Sequence, residues 1–289
     1  MLKSKLASVA AAVALSFGAI GSASAITITA GDYWIEIGNY DLGTLGYGNA
    51  PGLVCGTVSD CNSAAGNPAL GGSGYDTMGI FNITSVKNIT SGKTTYLEGQ
   101  GGKYLTGVFG KLSDQRVTVS CDVDGVCSTK TYSTGGEWAI YENGSAWDPS
   151  QGGAAGDWGN LTYPGITGGS IWLSGVFGSG ASSVQPGATY VSNYDNGTIT
   201  GSGMAYLDVT GGTAKTQFDT NKLTGYDGLK HDMYMDIVYN DVNGAASGIG
   251  WTVTSAGQIK GNAVPEPGTM ALAGLALLGA GLASRRRKS

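Results

Sequence analysis

The sequence has little histidine, charge or proline. Its 289 residues include one histidine (His231), seven prolines and only 13% charged residues. A single histidine excludes any metal site built from several histidines and leaves one possible histidine-based catalytic arrangement. The 51 glycines follow no Gly-X-Y period, which excludes a collagen-like chain. Six tryptophans, fifteen tyrosines and five phenylalanines are too many apolar rings for a disordered chain.

The first 25 residues have the pattern of a secretory signal peptide. Two lysines precede an apolar run from Leu6 to Ile20. Ala23 and Ala25 then form an A-x-A cleavage site, with the cut expected after Ala25. We therefore expect residues 1–25 to form a signal helix that the Sec machinery recognises and signal peptidase removes.

Residues 264–289 contain three parts in a fixed order. A Pro-Glu-Pro triplet comes first, followed by an uncharged, mostly apolar stretch from Gly268 to Ser284. As a helix this stretch would span about 25 Å, at the short end of what a membrane-spanning helix needs. A basic stop-transfer cluster follows, which the positive-inside rule keeps in the cytoplasm while the body lies outside. The residues concerned are Pro265, Glu266 and Pro267 in the triplet and Arg285, Arg286, Arg287 and Lys288 in the cluster.

This tail resembles the PEP-CTERM sorting domain, whose three parts fall on Pro265–Pro267, Met270–Ala283 and Arg285–Lys288. The resemblance covers about a tenth of the chain. It implies export in a Gram-negative bacterium that makes extracellular polysaccharide, transient membrane anchoring, and cleavage near the triplet by the membrane enzyme exosortase. The product would lie at the cell surface or in the extracellular matrix. A plain C-terminal membrane anchor is the alternative.

The region between the two ends, residues 26–263, is expected to be one exported, acidic body. Without the two ends the chain keeps ten basic and twenty acidic residues. This balance argues against nucleic acid or an anionic membrane surface as a partner. A body of this length can bury one large core.

The four cysteines form two pairs with the same spacing, Cys55/Cys61 and Cys121/Cys127. In an oxidising compartment this arrangement predicts two local disulfides. For the second pair, a three-residue hairpin loop at 123–125 would place Cys121 directly opposite Cys127. A zinc site of all four cysteines is the alternative, but five intervening residues exceed the usual ligand spacing. We therefore expect disulfides and no metal.

Segments rich in β-branched and aromatic residues predict short strands. Glycine, asparagine, aspartate or serine bounds each segment, and no amphipathic helix lies between the two ends. The expected fold is all-β, an irregular β-sandwich or β-solenoid-like body flanked by the N-terminal signal helix and a short C-terminal transmembrane helix. The predicted strands are Tyr33–Ile37, Met78–Ile83, Tyr104–Phe109, Trp138–Tyr141, Ile171–Phe177, Met204–Val209, Met233–Tyr239 and Ile249–Thr254.

Few residues of the body suggest catalysis. His231 beside Asp232 is the only route to a Ser-His-Asp arrangement, and no Gly-x-Ser-x-Gly elbow accompanies it. Four carboxylates near tryptophans could include a glycosidase pair, although solvated loop carboxylates are more common. These carboxylates are Glu137, Glu142, Asp148 and Asp157. We expect no enzymatic activity and no cofactor.

Loop residues offer binding as an alternative. Trp147 and Trp158 lie in loop-like sequence, within the predicted flexible segment Asp148–Gly159 or next to it, and could stack on the sugars of an extracellular polysaccharide. The turns at 122–125 and 241–244 have a D-x-[DN]-G form reminiscent of calcium loops, but they lack the glycine and glutamate positions of an EF-hand. Hairpin turns explain both, and calcium is left as an alternative ligand.

The sequence therefore predicts a non-enzymatic exported surface or matrix protein that exosortase sorts and that is associated with exopolysaccharide or biofilm. A carbohydrate-binding module of the matrix, with or without calcium, is the main alternative. A secreted hydrolase and an ice-binding protein are further alternatives; the threonine pairs that ice binding would use are unevenly spaced.

Overall fold

The computed structural model describes residues 26, 28–43, 52–64, 75–195, 197–198, 200–242 and 245–265. The predicted signal segment, with Ala23 and Ala25, lies outside the described residues. So do Glu266, Pro267, the apolar stretch of the tail and Arg285–Lys288. Within the described part of the chain, no helix is long and apolar enough to cross a membrane.

The described residues form mainly β-strands, with a few short helices. The helices are α1 (Val58–Ala64), α2 (Lys215–Phe218) and α3 (Ala245–Gly248), with 3-10 turns at Gln100–Gly102, Pro149–Gln151 and Gly153–Ala155. The strands are β1 (Gly31–Gly43), β2 (Gly52–Cys55), β3 (Thr77–Asn88), β4 (Thr94–Leu97), β5 (Tyr104–Cys121), β6 (Cys127–Asn143), β7 (Ser170–Gly178), β8 (Tyr190–Asp195), β9 (Thr200–Gly211), β10 (Leu223–Thr224), β11 (Lys230–His231), β12 (Met233–Val242) and β13 (Val253–Ala263).

The strands close into an antiparallel barrel with eight positions in its wall. Around the wall the order is β5, β3, β1, β13, β12, β9, the pair β7 and β8, and β6, which pairs back with β5. Strands β7 and β8 share one position because β7 pairs with residues 137–142 of β6 and β8 with residues 128–133. They also pair with the two ends of β9. Strands β2 and β4 extend the wall beside β5 and β3.

Strand β6 changes its partner from β8 to β7 at Gly135 and Gly136. Their φ angles are 75° and 99°, in the left-handed region that side chains rarely adopt. A Cβ on Gly136 would lie 2.6 Å from the ring of Phe177, so the core packs directly against the backbone here. Only glycine fits at this junction.

The all-β prediction is confirmed, whereas the expected sandwich or solenoid is wrong. Most predicted strands are present but continue much further: β5 has 18 residues and β6 has 17. The pair Gly135–Gly136, which resembles turn punctuation in the sequence, lies inside β6. The last predicted strand, Ile249–Thr254, is displaced, because β13 begins only at Val253. Long strands allow the sheet to curl until its edges meet.

The interior of the barrel is an apolar core. Side chains alternate along each strand, so Tyr33, Ile35 and Ile37 of β1 are buried while Trp34 and Glu36 face outward. A cavity of about 40 Å³ remains between the rings and aliphatic chains of the core. That volume holds only a few water-sized groups, so this core is packed rather than hollow.

A buried polar layer lies on the inner side of the wall, on β1, β12, β13 and β8. The Asn39 amide donates to the carboxyl of Asp41 and accepts from the Ser255 hydroxyl. The hydroxyls of Tyr190 and Tyr239 bond to each other. Burial raises the pKa of Asp41 to about 8, so this carboxyl is mostly protonated at neutral pH.

The long connection between β6 and β7 covers one outer face of the barrel. It buries Trp158 and Tyr163 against Met78 and Ile80 of β3 and against Trp251. The Trp158 Nε1 donates to the carbonyl of Gly153 at 3.0 Å. The segment predicted to be a flexible loop therefore forms a second, smaller core on the outside of the wall.

Candidate functional site

A line of aromatic and basic side chains crosses the outer wall of the barrel. The strand register sets Tyr206 of β9 opposite Tyr234 of β12, and Tyr234 opposite Lys260 of β13. Lys260 in turn lies opposite Trp34 of β1. We call these four residues the aromatic row. Because neighbouring strands are about 4.8 Å apart, the row is roughly 14 Å long.

Contacts within the row hold its rings in place. The ring centroids of Tyr206 and Tyr234 are 5.5 Å apart, edge to face. The Lys260 Nζ lies 5.7 Å from the centre of the Trp34 ring, a cation–π distance. At least one sequence neighbour of each is buried in the core: Leu207, Met233, Ile259 and Ile35. Each ring is thus partly exposed on a strand that its neighbours anchor.

A short hairpin of β10 and β11 folds over one end of this row. The Tyr206 hydroxyl donates to the carbonyl of Thr224 at 3.2 Å, and the Tyr226 backbone N–H donates to Gly180 at 3.0 Å. Tyr226 is 64% exposed at the rim. Between hairpin and wall lies an open cleft of about 410 Å³. We call it the tyrosine cleft; it is lined by Met204, Tyr206, Leu223, Thr224, Tyr226, Tyr234 and Lys260.

Two side chains of the hairpin, His231 and Asp227, attach it to the wall. His231 stacks on Tyr206 with 4.8 Å between ring centroids, and its Nδ1 lies 3.0 Å from the Asp208 Oδ1. The Ser179 hydroxyl donates to the carboxylate of Asp227, which lowers the pKa of Asp227. Burial raises the pKa of Asp208, and the bond to His231 opposes that rise. These contacts fix the width of the tyrosine cleft.

A second line of polar side chains runs beside the aromatic row. Gln258 lies opposite both Glu36 and Asp236, two residues along each strand from the aromatic row and about 7 Å away. We call these three residues the polar row. The Glu36 carboxylate accepts from the Ser85 hydroxyl at 2.8 Å. The three side chains also line a shallow groove of about 770 Å³ on the side of the polar row that faces away from the rings.

The structure gives His231 and Asp232 separate roles. Asp232 is 2% exposed and accepts from the backbone N–H groups of Val209, Thr220 and Asn221 at 2.6–2.8 Å. It is a buried anchor for the chain around β9 and α2. His231 contacts Asp208 instead, and its Nε2 is buried without a hydrogen-bond partner.

The four candidate carboxylates are also dispersed. Glu137 and Glu142 are five residues apart on β6, roughly 17 Å along the strand, whereas a glycosidase pair lies within about 10 Å. Both are in ion pairs, with Lys111 and Lys103 respectively. The other two stabilise local turns, and hydrogen bonds lower their pKa values; these are Asp148, bonded by Ser150, and Asp157, bonded by Asn160.

The two tryptophans proposed for sugar binding differ in environment. Trp158 is 1% exposed, so the prediction of an exposed stacking ring at that position is wrong. The long connection folds back onto the barrel, and Trp158 fills the second core. Trp147 is partly exposed and packs against Tyr40, with 5.3 Å between ring centroids.

Both predicted disulfides are present. Cys55 at the end of β2 is bonded to Cys61 in α1, and Cys121 is bonded to Cys127, directly opposite it on β6. Gly125 has a φ of 79°, as the predicted hairpin loop requires. The two pairs therefore close local loops rather than one shared site.

The calcium-like turn at 122–125 is closed by its own backbone. Asp122 Oδ1 accepts from the N–H groups of Asp124 and Val126 at 3.0 and 2.9 Å. The second turn, at 241–244, lies partly outside the described residues. In the part of the chain that the structure covers, no group of three or more His, Cys, Asp or Glu is placed to hold a metal ion.

The predicted sorting tail begins at the wall of the barrel. Strand β13 ends at Ala263, which is buried, and the Val264 N–H donates to the Gln217 carbonyl at 2.8 Å. Pro265, the first residue of the triplet, is exposed. The chain therefore leaves the barrel within two residues of the end of its last strand.

Comparison with known families places a sorting signal at this end of the chain. Residues 263–288 match the family model of the PEP-CTERM protein-sorting motif, which confirms the resemblance found in the sequence. The motif implies exosortase processing, and with it export, passage through the membrane and sorting to the cell surface. No curated protein and no solved structure matches the chain.

Proposed function

We propose that this exosortase-sorted chain is a non-enzymatic protein of the cell surface or extracellular matrix of a Gram-negative bacterium, associated with exopolysaccharide or biofilm. One observation carries the proposal. The matched sorting motif begins at residue 263, the last residue of the strand that completes the barrel wall. The motif is therefore attached directly to a folded domain, which is its cargo.

The covalent chemistry of the barrel supports an extracellular destination. Both cysteine pairs form disulfides, which persist in oxidising compartments and are rare in the cytosol. Each closes a loop of a few residues, so it can form as soon as its segment has crossed the membrane. The barrel thus suits a protein that folds after export.

The environment of the candidate catalytic groups supports a non-enzymatic role without a cofactor. Glu137 and Glu142 are neutralised by lysines at 2.7 and 2.5 Å. His231 and Asp232 hold the hairpin and the chain around β9 in place. These contacts make both glutamates, the Nδ1 of His231 and the carboxylate of Asp232 part of the structure that holds the barrel together.

Intact-mass measurement of the protein recovered outside exporting cells tests the proposal. We expect loss of residues 1–25, loss of the chain beyond the Pro-Glu-Pro triplet, and loss of four hydrogens to two disulfides. A Glu266→Ala variant serves as the control for sorting and should keep its tail. A recovered wild-type mass that retains Arg285–Lys288, or four free thiols, would contradict the proposal.

A further inference from the structure

We propose that the aromatic row and the tyrosine cleft bind a neutral polysaccharide chain that lies across strands β9, β12, β13 and β1. This inference rests on the extracellular role proposed above and adds a ligand class and a site. The sequence offered Trp147 and Trp158 for sugar contact; the barrel wall offers a different and larger surface.

The exposed rings form an extended platform. A pyranose ring has a face of C–H groups that packs on a flat aromatic face, as apolar surfaces do elsewhere. Tyr226 is 64% exposed, and Tyr234 and Trp34 are partly exposed, Trp34 with Lys260 over one face. The Tyr206 ring is stacked on His231 and supports this end of the row. Tyr234 and Trp34 are two strands apart, about 10 Å. Rings spaced along a line can contact successive sugars of one chain rather than a single sugar.

The polar row supplies the hydrogen bonds that sugar hydroxyls require. Asp236 and Glu36 are exposed, and Gln258 between them is partly exposed. They lie about 7 Å to one side of the aromatic row, within reach of hydroxyl groups on a ring stacked there. Carboxylates accept and an amide both donates and accepts, so the row can bond a polyhydroxyl chain along its length.

The charge on this surface favours a neutral chain over an acidic one. The polar row carries two carboxylates, and residues 26–263 contain twenty acidic against ten basic residues. Three lysines lie among these acids: Lys260 over the Trp34 ring, the exposed Lys87 opposite Trp34 on β3, and Lys230, which bonds Thr224 at the cleft. Because the local charges are mixed and the body as a whole is acidic, an anionic polysaccharide gains no net attraction here. The occupant that fits both rows is a neutral glycan.

The site is organised before any ligand arrives. The Tyr206 ring is fixed between His231 and Tyr234, and its hydroxyl is bonded to the hairpin. The strands beneath are held by full ladders in the wall. Little conformational entropy is lost on binding to such a surface, which favours binding of a weakly interacting polymer.

Affinity electrophoresis tests the inference with the protein purified from exporting cells, whether or not its tail has been removed. The gels contain hydroxyethyl cellulose, a soluble neutral glucan, or alginate, a carboxylated polymer. We expect hydroxyethyl cellulose to retard the protein and alginate to leave its migration unchanged. Tyr226→Ala and Tyr234→Ala should each weaken the interaction about tenfold, because each removes one stacking face. Tyr234→Phe keeps the ring and should retain most of the binding.

Two control variants and one physical check accompany these measurements. Tyr104→Ala removes a partly exposed tyrosine of β5, and Trp147→Ala removes the loop tryptophan; both should bind as the wild type does. Thermal unfolding shows that each variant is folded, and Tyr226→Ala removes a side chain with few packing contacts. The inference fails if the wild type is not retarded, if alginate retards it equally, or if neither tyrosine variant weakens binding. Because the assay does not depend on tail cleavage, such a failure leaves the proposed sorting intact, and failed sorting leaves the binding result intact.

Discussion

Replacing Asp41 by asparagine should stabilise the protein at neutral pH and have little effect in acid. The Asp41 side chain is 4% exposed and faces Asn39 and the Tyr190–Tyr239 pair. Burial raises its pKa from 3.8 to about 8. In the unfolded chain the carboxyl ionises near its ordinary pKa. Between these two values the folded protein holds a proton that the unfolded chain releases.

The size of the effect follows from this proton difference. In this window the unfolded state binds fewer protons than the folded state. The free energy of unfolding therefore falls by about 1.4 kcal/mol for each pH unit. From about pH 4.5 to about pH 7.5 the free energy of unfolding should therefore fall by roughly 4 kcal/mol through this one group. The contribution is lost as pH rises through this window and is constant above about pH 8. An amide of the same shape does not titrate and avoids the loss.

Urea denaturation across this pH range measures the effect in the wild type and in Asp41→Asn. The difference between the two unfolding free energies should grow steadily with pH. Asp236→Asn is the matched control, since it removes a carboxylate from the exposed face of β12 and should leave the pH slope unchanged. Parallel profiles for the wild type and Asp41→Asn would refute the reasoning.

Three further changes test the packing. Trp158→Ala should lower the free energy of unfolding by about 3–5 kcal/mol, because its ring is 1% exposed, while Trp147→Ala should cost clearly less; equal losses in a denaturation curve would contradict this. Replacing Cys121 and Cys127 together by serine should cost about 2 kcal/mol in denaturation under oxidising conditions, and an unchanged midpoint would count against it. Asp232→Ala leaves one buried and two partly buried N–H groups without their acceptor and should cost about 3 kcal/mol, measured by thermal unfolding; an unshifted Tm would show that those groups find other partners.

Local patterns in the sequence predicted local structure. Alternation of apolar residues over Met233, Met235 and Ile237 identifies the inner face of β12, because side chains of a strand point to opposite sides in turn. The spacing of Cys121 and Cys127 around Gly125 predicts the hairpin and its disulfide. Both features depend on residues within one or two strands.

Closure of the barrel depends on pairings that no local pattern encodes. Gly31 of β1 lies opposite Ala263 of β13, at the other end of the described chain. The sharing of one wall position by β7 and β8 requires that β6 and β9 be long enough to pair with both. In the sequence, Gly135–Gly136 resembles a turn, because a turn and the junction inside β6 both use glycines with positive φ.

The candidate site was missed for a related reason. Tyr234 and Asp236 lie on the same face of β12, so the alternation of polar and apolar residues places Tyr234 outside the core. That alternation is the signal in the sequence that points to this residue. Its neighbours Tyr206, Lys260 and Trp34 come from three other strands, and only the register brings them together. Trp158 misled in the opposite direction, since glycine-rich sequence around a tryptophan predicts exposure, whereas the loop folds back over the wall.

The seam between β1 and β13 joins the first strand of the cylinder to its last. The barrel cannot close until β13 has paired with β1, so folding cannot finish while residue 263 is still on the inner side of the bilayer. A proteolytic cut within β13 would remove part of a strand that closes the barrel, whereas a cut just beyond Ala263 would release the folded barrel whole. The strand that closes the barrel and the segment that matches the sorting motif are thus adjacent in the chain and meet at residue 263.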